Sequence, residues 1–265
     1  QMLSHHHSSQ DAWRVRVNNR RGAIMEMLFI LLLFLVAFLY SSVGHGGGSG
    51  YLALFALFGI APLFMRSTAL VLNVFVAGIA FVSYYRAGFF RFRLILPFLL
   101  ASILAAYFGA MVNVNPKLYK IILGAFLLIA VFRMLFVQGA VGEANRRPPF
   151  ALAMLIGAAL GFFSGMIGIG GGIILSPVLI LFHWATIKES AAASALFIFL
   201  NSLAGILGLQ HTGFAMEPHM ILWILVGLAG GVLGSYSGSM HLNTKWLKYM
   251  LAAVLLMASL KLFIY

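Results

Sequence analysis

Ten stretches of apolar residues follow one another along this chain, and charged side chains fall at their ends or between them. A helix needs about 17–25 apolar residues to cross a bilayer. Only 8% of the residues are charged, against about 25% in a soluble domain. The stretches do not alternate as barrel strands do, so an all-α integral membrane protein is predicted. They cover residues 25–43, 50–64, 67–85, 94–112, 118–137, 150–167, 173–184, 191–209, 220–240 and 247–263.

The net charge is +12, from 17 basic and 5 acidic residues. Basic side chains at helix ends lie near anionic lipid headgroups, so the charge favours the bilayer as partner. No basic patch combines with stacking aromatics, and nucleic acid is not expected as a partner. The chain has no cysteine, which excludes disulfides and thiolate metal sites.

Two polar segments divide the chain. Residues 1–24 form a tail with a run of three histidines and four arginines, which could be of cloning origin, so we leave it out of the fold prediction. Residues 138–149 form a linker. We expect one membrane repeat over residues 25–137 and a second over 150–265.

The two proposed repeats share a Gly-x-Gly-Gly-Gly pattern, at Gly44 to Gly48 and again at Gly168 to Gly172. A short apolar stretch follows each cluster, which indicates broken or re-entrant helices. Further along, Asn73 in the first half corresponds to Asn201 in the second. With about five segments per half, the second half enters the membrane from the opposite side. The sequence therefore predicts two inverted repeats.

Each glycine cluster is expected to interrupt a helix within the membrane, because glycine costs about 1 kcal/mol relative to alanine in a helix. The freed backbone groups must then be buried against protein or line a wet cavity. A helix that restarts there presents free N–H groups, which suit an anion. The alternative is that the glycines only allow close helix packing. The candidate backbone ligands are Gly44, Gly46, Gly47, Gly48, Ser49, Gly168, Gly170, Gly171, Gly172 and Ile173.

Three side chains in these regions are candidate donors. His45 lies inside the first cluster, where it could bind an oxyanion or carry a coupling proton, or simply bond a helix-end carbonyl. Asn73 and Asn201 could reach a cavity or bridge two helices.

No aspartate or glutamate lies well inside a spanning stretch, which disfavours a cation site and favours an anionic substrate. No catalytic triad, zinc spacing or cofactor motif is visible. We therefore expect no enzyme, no metal and no cofactor.

The segments from Val43 to Ala53 and from Gly161 to Gly172, the latter followed by Pro177, resemble the two signatures of the sulfite exporter TauE/SafE family. The resemblance implies a protein of a bacterial-type inner membrane that exports or takes up sulfite, sulfonates or related anions. Ile169 stands where the first copy has His45, so the resemblance covers a site whose two halves differ chemically.

These observations predict a secondary transporter for a small organic or inorganic anion. The alternatives are an anion channel and a membrane scaffold or assembly factor without transport. The positive-inside rule places both termini outside if the tail is foreign, whereas the tail arginines favour the opposite orientation. One side collects Arg86, Arg91, Arg93, Arg146, Arg147, Lys188, Lys245 and Lys248, and the other has Arg66, Lys117, Lys120 and Lys261.

Overall fold

The computed structural model describes residues 4–42, 44–136, 147–215, 219–240 and 245–264. Within these ranges the chain forms ten α-helices, one for each predicted apolar stretch. Most of the predicted linker and Val43 lie outside the described residues. The helices are α1 Ser4–Ser42, α2 Gly48–Phe58, α3 Pro62–Arg86, α4 Phe92–Met111, α5 Pro116–Phe136, α6 Phe150–Ile167, α7 Gly172–Leu181, α8 Ile187–Leu209, α9 Met220–Met240 and α10 Lys245–Ile264.

The described helices include six that are long and apolar enough to cross a membrane. Their outer faces carry large apolar side chains, such as Leu155 at 69% exposure and Ile221 at 70%. Such faces are stable only against lipid. Together these features confirm an all-α membrane protein. The six helices are Gly22–Ser42, Phe64–Arg86, Phe92–Met111, Phe150–Ile167, Ile187–Leu209 and Met220–Ser237.

Some predicted boundaries were wrong. The second stretch was expected to continue to residue 64, but α2 ends at Phe58 because Gly59 adopts a left-handed conformation (φ 75°) and Ile60 N–H donates to Phe55 O. Pro62 belongs to the first turn of α3, where its missing N–H costs nothing. In the N-terminal tail, which we had set apart, α1 already begins at Ser4.

Two glycine seams join the outer helices to their neighbours. In α6, Gly157 and Gly161 lie against the backbone of Phe98 and Ser102 in α4, and Gly165 continues the series. In α9, Gly230 and Gly234 lie in the same way against Phe34 and Phe38 of α1. Residue numbers rise together along both seams, so α4 runs parallel to α6 and α1 runs parallel to α9. Small residues permit this close approach.

The centre of the molecule is built by α3 and α8. Gly205 of α8 lies against Leu70 of α3, and Gly78 of α3 against Phe199 of α8, so these two helices are antiparallel. Outside them, α5 packs on α10, where Ser259 Oγ donates to Gly124 O over 2.9 Å. The two short helices α2 and α7 begin beside the central pair, and this position brings the glycine clusters together.

Candidate functional site

The breaks predicted at the two glycine clusters are present. After α1, Gly44 is left-handed (φ 74°), Gly44 N–H donates to Ser41 O, and His45 N–H donates to Tyr40 O. This is the Schellman arrangement that ends a helix. After α6, Gly168 is left-handed (φ 92°), and its N–H donates to Ser164 O. After each break the chain turns back and starts a short helix. Five residues separate α1 from α2, and four separate α6 from α7.

The starts of α2 and α7 face each other at the centre of the bundle. A Cβ atom on Gly48 would overlap the carbonyl oxygen of Ile169, so the two clusters touch backbone to backbone. Gly170 and Gly172 both lie against the side chain of Ile198 in α8. The first N–H groups of a helix have no partner within it. Two sets of such donors therefore lie close together at this point.

Asn73 lies between the two clusters. Its Nδ2 donates to Gly168 O at 3.5 Å, and a Cβ atom on Gly46 would lie 3.1 Å from its Oδ1. The side chain is fully buried. Among the described residues its Oδ1 has no hydrogen-bond partner. A buried amide oxygen without a partner is costly and can accept a hydrogen bond from water or a ligand, and Asn201 Oδ1 is in the same state among the described residues.

Sequence reasoning missed Tyr51. This side chain is in the first turn of α2 and fully buried, and a Cβ atom on Gly47 would lie 2.7 Å from its hydroxyl. The Tyr51 hydroxyl has no partner among the described residues. Its position four residues after Gly47 was the available signal, because that spacing returns a side chain to the same helix face.

Ser49 is a predicted substrate-binding residue. Its Oγ forms a hydrogen bond within the first proposed repeat, 2.7 Å from Tyr40 Oη of α1. Ile173, from the second cluster, is buried in the same hydrophobic core as Ile169. Asn201 is placed differently from its counterpart Asn73. Its Nδ2 donates to Ser102 Oγ at 3.1 Å and to Phe197 O at 2.7 Å, so its described hydrogen bonds link α8 to α4.

His45 begins a buried chain of hydroxyl contacts on one side of the junction. His45 Nε2 is 3.1 Å from Ser176 Oγ, which is 2.8 Å from Ser194 Oγ, and Ser190 Oγ donates to Ser176 O. A Cβ atom on Gly44 would collide with Ala191, so the backbone of this break is packed tightly on α8. We call His45, Ser176, Ser190 and Ser194 the His45 end.

Arg66 lies on the opposite side of the junction. It is near the start of α3, whereas the other end of α3 lies beside the end of α1, where Tyr84 Oη donates to Ser42 O. The Cα of Arg66 would lie 3.3 Å from a Cβ atom on Gly168. A cavity of about 190 Å³ lies at this side. We call this side the Arg66 end; its cavity is lined by Pro62, Arg66, Val112, Asn113, Val114, Pro116, Tyr119, Leu209, Thr212 and Gly213.

In the part of the chain that the structure describes, no group of three or more His, Asp or Glu side chains could hold a metal ion. The polar groups at the junction are N–H, amide and hydroxyl groups. The N–H and O–H donors among them can bind an anion or water.

The sequence was compared with protein-family models, and the matching model covers both glycine clusters. The model of the sulfite exporter TauE/SafE family matches residues 29–262. The chain belongs to this family. The family assignment, the spans and the bacterial relatives identify a multi-pass transporter of the inner membrane.

Relatives of this TauE/SafE member carry transporter names. The probable membrane transporter protein y4hK of Sinorhizobium fredii is 33% identical over 88% of this chain and 96% of its own length. The probable membrane transporter protein ORF9 of a Sinorhizobium species is 30% identical, over 85% and 88%. The probable membrane transporter protein YdhB of Bacillus subtilis is 26% identical, over 82% and 90%. No solved structure matches the chain.

Proposed function

We propose that this membrane transporter is a secondary transporter for a small organic or inorganic anion, such as sulfite or a sulfonate, and that it catalyses no chemical step. One observation carries the proposal: the N-termini of α2 and α7 meet at the centre of the bundle. Each start carries free N–H groups and the positive end of a helix dipole, which favour negative charge. The family name supports a sulfur oxyanion as the first compound to test.

The charge pattern supports an anion rather than a cation. The sequence has 5 acidic residues, and none lies well inside a spanning stretch. A cation at the junction would meet two positive helix ends without a carboxylate to balance its charge. The proposed ligands are the backbone around Gly46 to Ser49 and Gly170 to Ile173, with Asn73 and His45 as side-chain donors. Asn201 was also predicted as a ligand; we propose that it instead joins α8 to α4, since its Nδ2 donates to Ser102 Oγ of α4.

The proposed mechanism rests on inverted repeats, in which α1 to α5 correspond to α6 to α10. Helix packing supports this correspondence. The contact of α4 with α6 has its counterpart in that of α9 with α1, and both pairs are parallel. The pair that would be exchanged with itself, α3 and α8, is antiparallel, as a two-fold axis in the membrane plane requires.

Contact between the clusters favours a transporter over a channel. A channel needs a continuous wet path, whereas here Gly48 lies directly against Ile169 O. We propose that rocking one repeat against the other separates this contact and exposes the junction to each side in turn. Unbroken helices through both clusters would favour the scaffold alternative, but α1 ends at Ser42 and α6 ends at Ile167.

The test is anion flux in proteoliposomes, with radiolabelled sulfite and ethanesulfonate as substrates. Asn73→Ala removes the side chain between the clusters, and Asn201→Ala is its matched control in the other repeat. We expect Asn73→Ala to lower flux per folded protein about tenfold or more, because a lost hydrogen bond to a charged group contributes ~1.5–3 kcal/mol. Asn201→Ala is expected to destabilise the fold by about 1–2 kcal/mol through its two lost hydrogen bonds, with flux per folded protein retained.

Equal flux in wild type and Asn73→Ala would remove the junction as the site. Absence of flux for both substrates would contradict an anion of this class. Conductance without stimulation by substrate on the opposite side would identify a channel. An imposed pH gradient that drives accumulation would add a coupling proton, for which His45 is the proposed carrier.

A further inference from the structure

Arg66 is held by backbone carbonyls at two helix ends. Its Nε donates to Gly165 O at 3.1 Å, and its Nη2 donates to Ala110 O at 2.5 Å and Gly109 O at 3.3 Å. Gly109 and Ala110 are in the last turn of α4, and Gly165 is near the end of α6. C-terminal carbonyls carry the negative end of the helix dipole, so they stabilise a cation.

Among the described residues, no carboxylate forms an ion pair with Arg66. The ion pair found there joins Arg91 to Glu189, near the His45 end. Guanidinium has five N–H donors, and those on Nε and Nη2 are used on the three carbonyls. In the described part of the chain the two donors on Nη1 have no protein acceptor. A half-buried cation with unused donors is costly unless an anion or water meets it.

The surroundings of Arg66 provide room for such an anion. The cavity at the Arg66 end, about 190 Å³, has polar wall residues in Asn113, Tyr119 and Thr212 beside the guanidinium. Tyr119 is itself fixed, because its hydroxyl donates to Ile167 O at 2.9 Å, immediately before the second glycine cluster. This hydrogen bond ties the Tyr119 side of the cavity wall to the end of α6.

We propose that Arg66 binds the oxyanion in this cavity before it reaches the junction between α2 and α7. The ligand class is a small oxyanion whose oxygens can accept from the Nη1 donors of Arg66, such as sulfite or the headgroup of a sulfonate. The proposal rests on the proposed function, and adds an entrance site at one end of the path. Because Arg66 contacts Gly168 through its own backbone, the entrance adjoins the second cluster directly.

Two other roles make different predictions. A lipid phosphate shares the oxyanion chemistry, so it could fill the same cavity from the bilayer. Alternatively, Arg66 could serve only as a clamp that joins α3 to α4 and α6 through its three carbonyl contacts. A clamp affects the folded state and leaves the affinity for anions unchanged.

The test compares Arg66→Gln with Arg66→Lys in the full chain. Sulfite uptake into proteoliposomes gives KM and the maximal rate, and thermal unfolding in maltoside detergent gives the shift caused by sulfite, ethanesulfonate or an added anionic phospholipid. We expect Arg66→Gln to raise KM about tenfold or more and to reduce the sulfite-induced shift in Tm, because it removes a charge-assisted contact. Arg66→Lys keeps the charge but loses the planar guanidinium, and it should give an intermediate KM.

The outcomes separate the proposals. Unchanged KM in both variants, with lower Tm, would overturn the entrance site and leave a clamp. A Tm shift with phospholipid and none with sulfite or ethanesulfonate would also overturn it, in favour of a lipid site. If wild-type protein transports sulfite and only the Arg66 result fails, the junction site survives; if wild-type protein transports neither anion, the proposed function itself fails.

Discussion

The two ends of the central junction differ in charge, although the proposed repeats place them in corresponding positions. At the Arg66 end, a cation held by helix-end carbonyls lines a cavity of about 190 Å³. At the His45 end, uncharged hydroxyls contact His45, and the break at Gly44 is packed against Ala191. Gly168 contacts Arg66 where Gly44 contacts Ala191.

This difference separates two requirements of an anion transporter. The junction needs donors from both halves, and two similar helix starts provide them. In the proposed transporter, attraction of the anion from solution needs a charge at a mouth of the path, and we propose that the cavity lined by Arg66 is such a mouth. Similar backbones can therefore serve a path whose two ends have unequal chemistry.

The largest effect is expected from a substitution at the contact between Gly48 and Ile169 O, which lies between the two ends. Gly48→Ala places a Cβ atom against Ile169 O and 2.7 Å from Asn73 Nδ2, where backbone cannot easily move. We expect flux to fall by about tenfold or more and stability to fall by about 1–3 kcal/mol, as in overpacked cores. Flux assays and thermal unfolding measure both quantities.

Gly22→Ala is the matched control, because Gly22 has ordinary helical geometry and a Cβ atom there would meet nothing within 4 Å. It should leave flux unchanged. Equal behaviour of the two alanine variants would contradict the account of a tight junction between the ends.

The reaction rates of charged thiol reagents with an introduced cysteine measure the electrostatic potential at the Arg66 end, since the chain has no native cysteine. Thr212→Cys places a thiol on the cavity wall. An anionic thiosulfonate should react there several-fold faster than a cationic one, because local positive charge concentrates anions. Adding Arg66→Gln should make the rates of the anionic and cationic reagents similar. If both rates stay unchanged in this variant, Arg66 is not the source of the positive charge in the cavity.

At the His45 end, Ser176→Ala should mainly affect stability. The Ser176 hydroxyl contacts His45 Nε2 and Ser194 Oγ, so its loss is expected to cost about 1–2 kcal/mol. Ser42→Ala is a milder control, because that hydroxyl bonds only Leu39 O of its own helix in the described contacts. A rise in KM for sulfite larger than that of Arg66→Gln would reverse the assignment of the two ends.

The smallest effect is expected for the ion pair between Arg91 and Glu189, whose side chains are 47% and 18% exposed. Arg91→Gln should lower stability by less than about 1 kcal/mol, because exposed ion pairs are weak. The difference should vanish in high salt, which screens exposed charges. A larger loss that resists salt would mean that this pair closes the His45 end.

The apolar stretches predicted all ten helices, and α6 and α9 have the predicted bounds, because long apolar runs in a membrane have few alternatives. The breaks at both clusters were predicted because glycine disfavours a helix. The end of α2 was missed, since a left-handed Gly59 decides it and a hydropathy pattern does not register backbone conformation.

Individual site residues were less predictable, because pairing across the fold decides their contacts. Asn73 and Asn201 match in sequence, yet one lies between the clusters and the other bonds Ser102. Arg66 was interpreted as a charge at a helix end, and only the fold brings three carbonyls and a cavity to it. The sequence contains the residue, but the acceptors come from α4 and α6.

The most direct test of the account is cysteine accessibility at the two ends, measured in intact vesicles with and without ethanesulfonate. Thr212→Cys lies on the exposed part of the cavity wall at the Arg66 end, and Ser194→Cys lies in the buried hydroxyl chain at the His45 end. We predict that Thr212→Cys reacts with an impermeant thiol reagent far faster than Ser194→Cys does, and that ethanesulfonate slows the reaction at Thr212→Cys. Equal labelling at both ends, or labelling that ethanesulfonate does not change, would contradict the account.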